Sequence, residues 1–184
     1  WRAMPNLVTM RGDKPRLVRA YLRSVEQVRA LGAELVISGH GDPIRGAARI
    51  RADLDAMHAA VSYLERETIA GMNAGKTVQE LMREIALPDD LKIGEFHGKT
   101  SWVVRAIWEE NGGWFHYADG TTALYGVPRS AVSADLVELA GGAGAIVGRA
   151  HGHVAAGRPL EALHLLDIAL EAVPDHEAGL SVRK

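Results

Sequence analysis

Ser38-Gly39-His40-Gly41-Asp42-Pro43 follows directly on the apolar run Leu35-Val36-Ile37, and the reading of the chain turns on this junction. The run predicts a short strand over 34–37, and the residues after it predict a turn that presents one imidazole at the mouth of that strand. Glycine on either side of His40 removes side-chain bulk and permits backbone angles that other residues resist, so the ring can be aimed into a site. Pro43 stiffens the exit by fixing its own φ. A neutral imidazole so placed serves equally as a zinc ligand, a general base or a hydrogen-bonded structural residue, and one histidine does not choose among these.

Upstream, Leu17, Tyr21, Leu22, Val25, Val28 and Leu31 recur at helical spacing and predict an amphipathic helix over 16–31, stopped by Gly32. Residues 7–10 look strand-like, which gives residues 1–48 an α/β character, although two short strands make no stable sheet alone. Downstream the pattern is helical. Ile50, Leu54, Met57, Val61, Leu64, Thr68 and Met72 fall on one face of a long helix that Gly75 ends. Thr77 and Glu80 have the spacing of a capping box, predicting a helix over 78–86 with Leu87-Pro88 as its exit and a connector over 89–98.

A further helix is expected over 101–111, carrying Trp102, Val103, Ile107 and Trp108 and closed by Gly112-Gly113, before an aromatic loop over 114–125. From Pro128 the chain is rich in Ala and Leu. Helical patterns over 149–157 and 160–173 flank Gly157-Arg158-Pro159, and Pro174 ends the second. The pair is similar to a single tetratricopeptide-like hairpin, whereas a peptide-binding array needs stacked repeats. The expected fold is therefore mostly α, with an α/β segment over 1–48, a helical domain over 49–127 and a C-terminal helical region over 128–184.

A net charge of −2 with acids and bases interspersed gives no electrostatic footprint for nucleic acid, and no basic run suggests a membrane surface. No apolar stretch approaches the length needed to span a bilayer. The absence of cysteine excludes disulfides and thiolate metal sites, leaving His, Asp and Glu as candidate ligands. His151 and His153 stand two apart on an expected helix and point in different directions, so they make a poor metal pair. His58, His116, His164 and His176 have no partner spacing and read as surface or locally hydrogen-bonded residues. Trp102, Trp108, Trp114, Phe115, Tyr117 and Tyr125 are expected to pack in a core, with a dimer interface or ligand pocket as alternatives.

The helix, short strand and Gly39-His40-Gly41 turn, in that order, resemble the last metal-ligand motif of the metallo-β-lactamase superfamily. Residues 4–12, Met-Pro-Asn-Leu-Val-Thr-Met-Arg-Gly, followed by Arg16, resemble the corresponding segment of its alkyl sulfatase branch. The order of the three sections is also similar to that family: the end of a metallo-β-lactamase domain, a helical dimerisation domain and a C-terminal region. The resemblance implies a homodimeric hydrolase of sulfate esters with a binuclear zinc site. It implies His40 as a zinc ligand, and Asn6, Thr9, Arg11 and Arg16 at the sulfate end of the substrate. Those residue types suit the role, since a guanidinium meets a delocalised oxyanion with matched donors and a zinc-bound water can supply hydroxide.

Two departures temper the expectation. The family carries Ser-His-Asn where this chain has Ser101-Trp102-Val103, which puts strict alkyl-sulfate specificity in doubt; His97, in the connector, is a candidate to compensate. The His-x-His-x-Asp-His cluster of metallo-β-lactamase enzymes is absent, so no catalytic residue is assigned and the chain alone is expected to be catalytically incomplete. The chain also begins at Trp1 within a motif, as expected of a piece of a longer protein. The rival expectations are a non-enzymatic helical interaction module, and a hydrolase of the same superfamily acting on a different ester.

Overall fold

The stripe Val18, Leu22 and Val25 winds into helix α1 (Val18–Ala30) and is buried there, in a computed structural model that describes residues 2–8, 16–116 and 120–184. The first amide of α1 has no intrahelical acceptor, and Glu110 supplies one: Val18 N–H donates to Glu110 Oε2 at 2.6 Å. A carboxylate at this helix end also meets the positive pole of the peptide dipoles. The chain forms two compact units, Trp1–Ala118 and Asp119–Lys184, with α1 in the first.

Helix α2 (Ala47–Asn73) is the spine of the first unit, and Gly75 at φ 76° follows its end. Its expected stripe is the buried one, with Ile50, Leu54, Met57, Val61, Leu64 and Thr68 all inside. It packs on α1 and on α4 (Thr100–Gly112), and α3 (Val78–Glu84) packs on α4. The capping box that opens α3 is made, with Thr77 and Glu80 exchanging hydrogen bonds. Leu64, Val103, Val104 and Ile107 are completely buried, each large apolar side chain contributing roughly 1.5–3 kcal/mol of transfer free energy. Helices α1 and α4 thus cover the apolar stripe of α2.

The Leu35-Val36-Ile37 run gives a shorter strand than expected, β1 (Leu35–Val36), which pairs antiparallel with β2 (Ile44–Arg45), Val36 opposite Ile44. Residues 37–43 are the loop of this hairpin. Ile44 points inward to Val25, Ile50, Leu54 and Met57, which ties the hairpin to α1 and α2. The strand expected over 7–10 is absent at Leu7 and Val8, and Thr9 and Met10 lie outside the described residues. Pairing occurs earlier in the chain instead. Met4 N–H donates to Gly94 O at 2.7 Å and Gly94 N–H to Arg2 O at 2.9 Å, an isolated parallel bridge between Ala3 and Gly94. The expected connector over 89–98 thus contains a strap that holds the N-terminal segment.

The second unit contains α5 (Ser133–Leu139), α6 (Ala143–Ala155), α7 (Pro159–Ala172) and α8 (Glu177–Arg183). The expected hairpin is formed by α6 and α7, with Gly157 at φ 72° in its turn and Pro159 at the first helical position. Helix α6 begins before residue 149 because Gly141 and Gly142, at φ 83° and 111°, make the preceding turn. Small residues, Ala143 and Ala150 against Ala162 and Ala169, let the two helices meet around Ile146, Val147, Leu166 and Leu170. Among the described residues no single helix is long and apolar enough to cross a membrane.

The aromatic residues do not make one core. Trp108 packs against the first core and against His116, Trp102 is half-buried on α4, and Trp114 and Tyr125 are 75% and 73% exposed. Tyr117 lies outside the described residues.

Gly98 is the tightest backbone contact of the strap. A Cβ there would lie 2.2 Å from Pro5 O and 3.0 Å from Met4 O, backbone atoms that cannot rotate aside. We expect Gly98→Ala to lower the stability of the first unit by about 1–3 kcal/mol in urea unfolding. Gly39→Ala, where a Cβ meets nothing within 4 Å, is expected to change stability by less than about 0.5 kcal/mol.

Candidate functional site

Three segments distant in sequence meet around one open cleft of about 1060 Å³ in the first unit: the N-terminal stretch 3–6 with Arg16, the β1–β2 loop, and the strap near residue 97. The loop contributes His40 at its centre. Gly41 takes φ 82°, a conformation that side chains resist, and the Ser38 hydroxyl donates to His40 O, so the turn is closed from within. The imidazole itself is left at the cleft edge.

Asn6 and Arg16 line the same cleft as His40, so these three residues singled out in the sequence are brought together; Thr9 and Arg11 lie outside the described residues. Arg16 Nη1 donates to Asn6 O at 3.0 Å, which clamps the two ends of the intervening segment. Asn6 Oδ1 is buried and has no hydrogen-bond partner among the described residues.

The sequence reading missed several lining residues. Arg49, at the start of α2, adds a second guanidinium, and Asp42 adds one carboxylate. Tyr21, Ile44, Met57 and Phe96 also line it, together with His97, the residue named in the sequence as a candidate to compensate for Trp102. Burial pushes the Tyr21 phenol up to about 12, so it is a neutral hydrogen-bonding group at any ordinary pH. Trp102 is not among the residues that border the cleft, whereas His97 is. The His40 and His97 rings stand 6.0 Å apart between centroids. Nothing in the local pattern around residues 89–98 marks them as lining a site, because their position is set by the distant pairing with residues 2–5.

Among the described residues no group of three or more His, Asp or Glu side chains converges as a metal site. His40 is a single imidazole outside any such group, so these residues do not by themselves fit a zinc ion. The other histidines have local roles. His58 pairs with Glu26 at 3.0 Å across α2 and α1, His116 with Glu109 at 3.2 Å, and His176 accepts from Gly179 N–H at the start of α8. A second, shallower hollow of about 540 Å³ is lined by the His58–Glu26 and Arg19–Glu65 pairs.

The strap is fixed at its exit as well. The Thr100 hydroxyl and backbone N–H both donate to Glu95 Oε1 and hold the Glu95 carboxyl below the usual carboxylate range. A lowered carboxyl pKa contributes stability above the group's unfolded pKa and loses it as pH falls through the folded one. Thr100→Val, which removes the hydroxyl, is therefore expected to raise the Glu95 titration midpoint toward that of an ordinary glutamate, read by side-chain carbon NMR. An unchanged midpoint would show that the hydroxyl is not the cause.

The profile of the alkyl sulfatase dimerisation family matches residues 77–183. The chain is 29% identical over 144 residues to a linear primary-alkylsulfatase of a Pseudomonas species, covering 76% of this chain and 27% of that protein. It is 27% identical over 154 residues to an (R)-specific secondary-alkylsulfatase of Pseudomonas sp., covering 79% of this chain and 23% of that protein. Its fold matches the structure of the stereoselective inverting sec-alkylsulfatase Pisa1 from Pseudomonas sp. with a TM-score of 0.82 at 25% identity, over 99% of this chain and 30% of the other. The chain thus spans less than a third of the length of these relatives.

Proposed function

Because the chain belongs to the alkyl sulfatase dimerisation family, we propose that its cleft is the sulfate-facing part of the active site of a sulfate ester hydrolase of the metallo-β-lactamase type. The observation that carries this reading is the convergence of Asn6, Arg16 and His40 on one cleft from segments far apart in sequence. The two guanidinium groups, Arg16 and Arg49, outnumber the single carboxylate of Asp42, which suits a small anion. In this reading Asn6 and Arg16, with Thr9 and Arg11 of the same segment, bind and orient the sulfate group. His40 is one ligand of a zinc site whose other ligands the described residues do not provide, and no catalytic step is assigned to this chain alone. In the same reading 1–48 is the end of the metallo-β-lactamase domain, 49–127 the dimerisation domain and 128–184 a tetratricopeptide-like C-terminal region.

The binding part of this reading is tested on the chain itself. Hexyl sulfate, titrated in EDTA and followed by NMR, is expected to shift the Asn6 side-chain amide and the His40 ring. Arg16→Ala is expected to weaken binding about tenfold or more, the worth of a hydrogen bond to a charged group. A folded chain that binds no hexyl sulfate would overturn the reading.

The family likeness also supports self-association as a homodimer. The interface is expected away from the covered stripe of α2. Sedimentation velocity of the chain is expected to give a dimer that survives Leu54→Gln only insofar as the fold survives. A monomer at every concentration tested would remove the dimerisation role.

A further inference from the structure

We infer that His97 is a ligand-contacting, specificity-determining residue of the cleft, which donates an N–H to the bound oxyanion while Phe96 beside it carries the organic group. The inference rests on the sulfate-ester reading above and adds to it a residue from the strap, outside the segment 1–48. His40 and His97 come from different elements and border the same cleft, with ring centroids 6.0 Å apart. Neither ring has a hydrogen-bond partner among the described residues. A neutral imidazole keeps one N–H to donate, and an ester sulfate offers only acceptors.

The placement of His97 is built rather than incidental. Glycines flank it on both sides where backbones meet, Gly94 against Arg2 O at 3.2 Å and Gly98 against Pro5 O at 2.2 Å, measured from the Cβ each lacks. The Phe96 ring lies where a Gly94 side chain would stand, 2.4 Å from that missing Cβ, and 5.1 Å from the His97 ring. Phe96 is 70% exposed and borders the cleft, so a large apolar face is held in water beside an oxyanion subsite. An anion carrying an alkyl group covers that face, and inorganic sulfate does not.

Isothermal titration of the chain in EDTA, with hexyl sulfate and separately with inorganic sulfate, tests the assignment. His97→Ala is expected to weaken both ligands about tenfold or more, and His97→Gln, which restores an N–H donor, to recover most of the loss. Phe96→Ala is expected to weaken hexyl sulfate and leave inorganic sulfate unchanged. Circular dichroism confirms that each variant is folded. If the wild-type chain binds and Arg16→Ala weakens it while His97→Ala does not, the role of His97 is overturned and the sulfate-ester reading stands. If His97→Gln is folded and as weak as His97→Ala, the donor role is overturned. If the wild-type chain binds neither ligand, the sulfate-ester reading falls and this inference with it.

Discussion

The contact on which the cleft depends is the approach of Gly98 to the backbone of Met4 and Pro5, continued by the Ala3–Gly94 bridge. Residues 2–8 have no regular structure beyond that bridge, and an extended segment so short cannot hold a fixed position by itself. The strap supplies its hydrogen bonds, and the completely buried Met4 side chain anchors it in the core. The Arg2–Asp53 ion pair at 2.9 Å ties the same segment to α2. Asn6 is therefore positioned by residues some ninety places downstream, and so is its relation to His40. A helix crossing adjusts by small slides of side chains, but a backbone contact through a missing Cβ does not.

This constraint also explains what could be seen in the sequence. Helices α1, α2, α3 and α4 were legible because periodic apolar residues and a capping box are local signals, and the structure buries the stripe of α2 where the pattern placed it. The turn around His40 was legible for the same reason, since Gly and Pro punctuate a chain within a few residues. The pairing of β1 with β2 was not, because Ile44-Arg45 is two residues long and carries no alternation. The strap was hidden more deeply. Its single bridge links residues 3 and 94, so the segment 89–98 has the composition of a connector and acquires its role only from a distant partner.

The aromatic residues show the opposite failure. Trp and Tyr recurring over 102–125 suggested one cluster, yet Trp108 is partly buried while Trp114 and Tyr125 are largely in water. Aromatic character measures how much area a residue can bury and not whether neighbours arrive to bury it. Phe96 is the informative exception. It is also exposed, but its ring is fixed over Gly94 and against His97, and it borders a cleft that contains charge.

The division of labour within the first unit follows from these placements. Of the residues that line the cleft, Asn6 and Arg16 come from the N-terminal segment and His40 from the hairpin loop, while the surfaces that hold them in register belong to α2 and the strap. A cleft assembled in this way cannot be formed by the first 48 residues alone, because its lining residues Arg49, Met57, Phe96 and His97 lie beyond them. The connector of the helical part borders the cleft, so the strap over 94–98 both fixes where the N-terminal segment sits and shapes the cleft beside it.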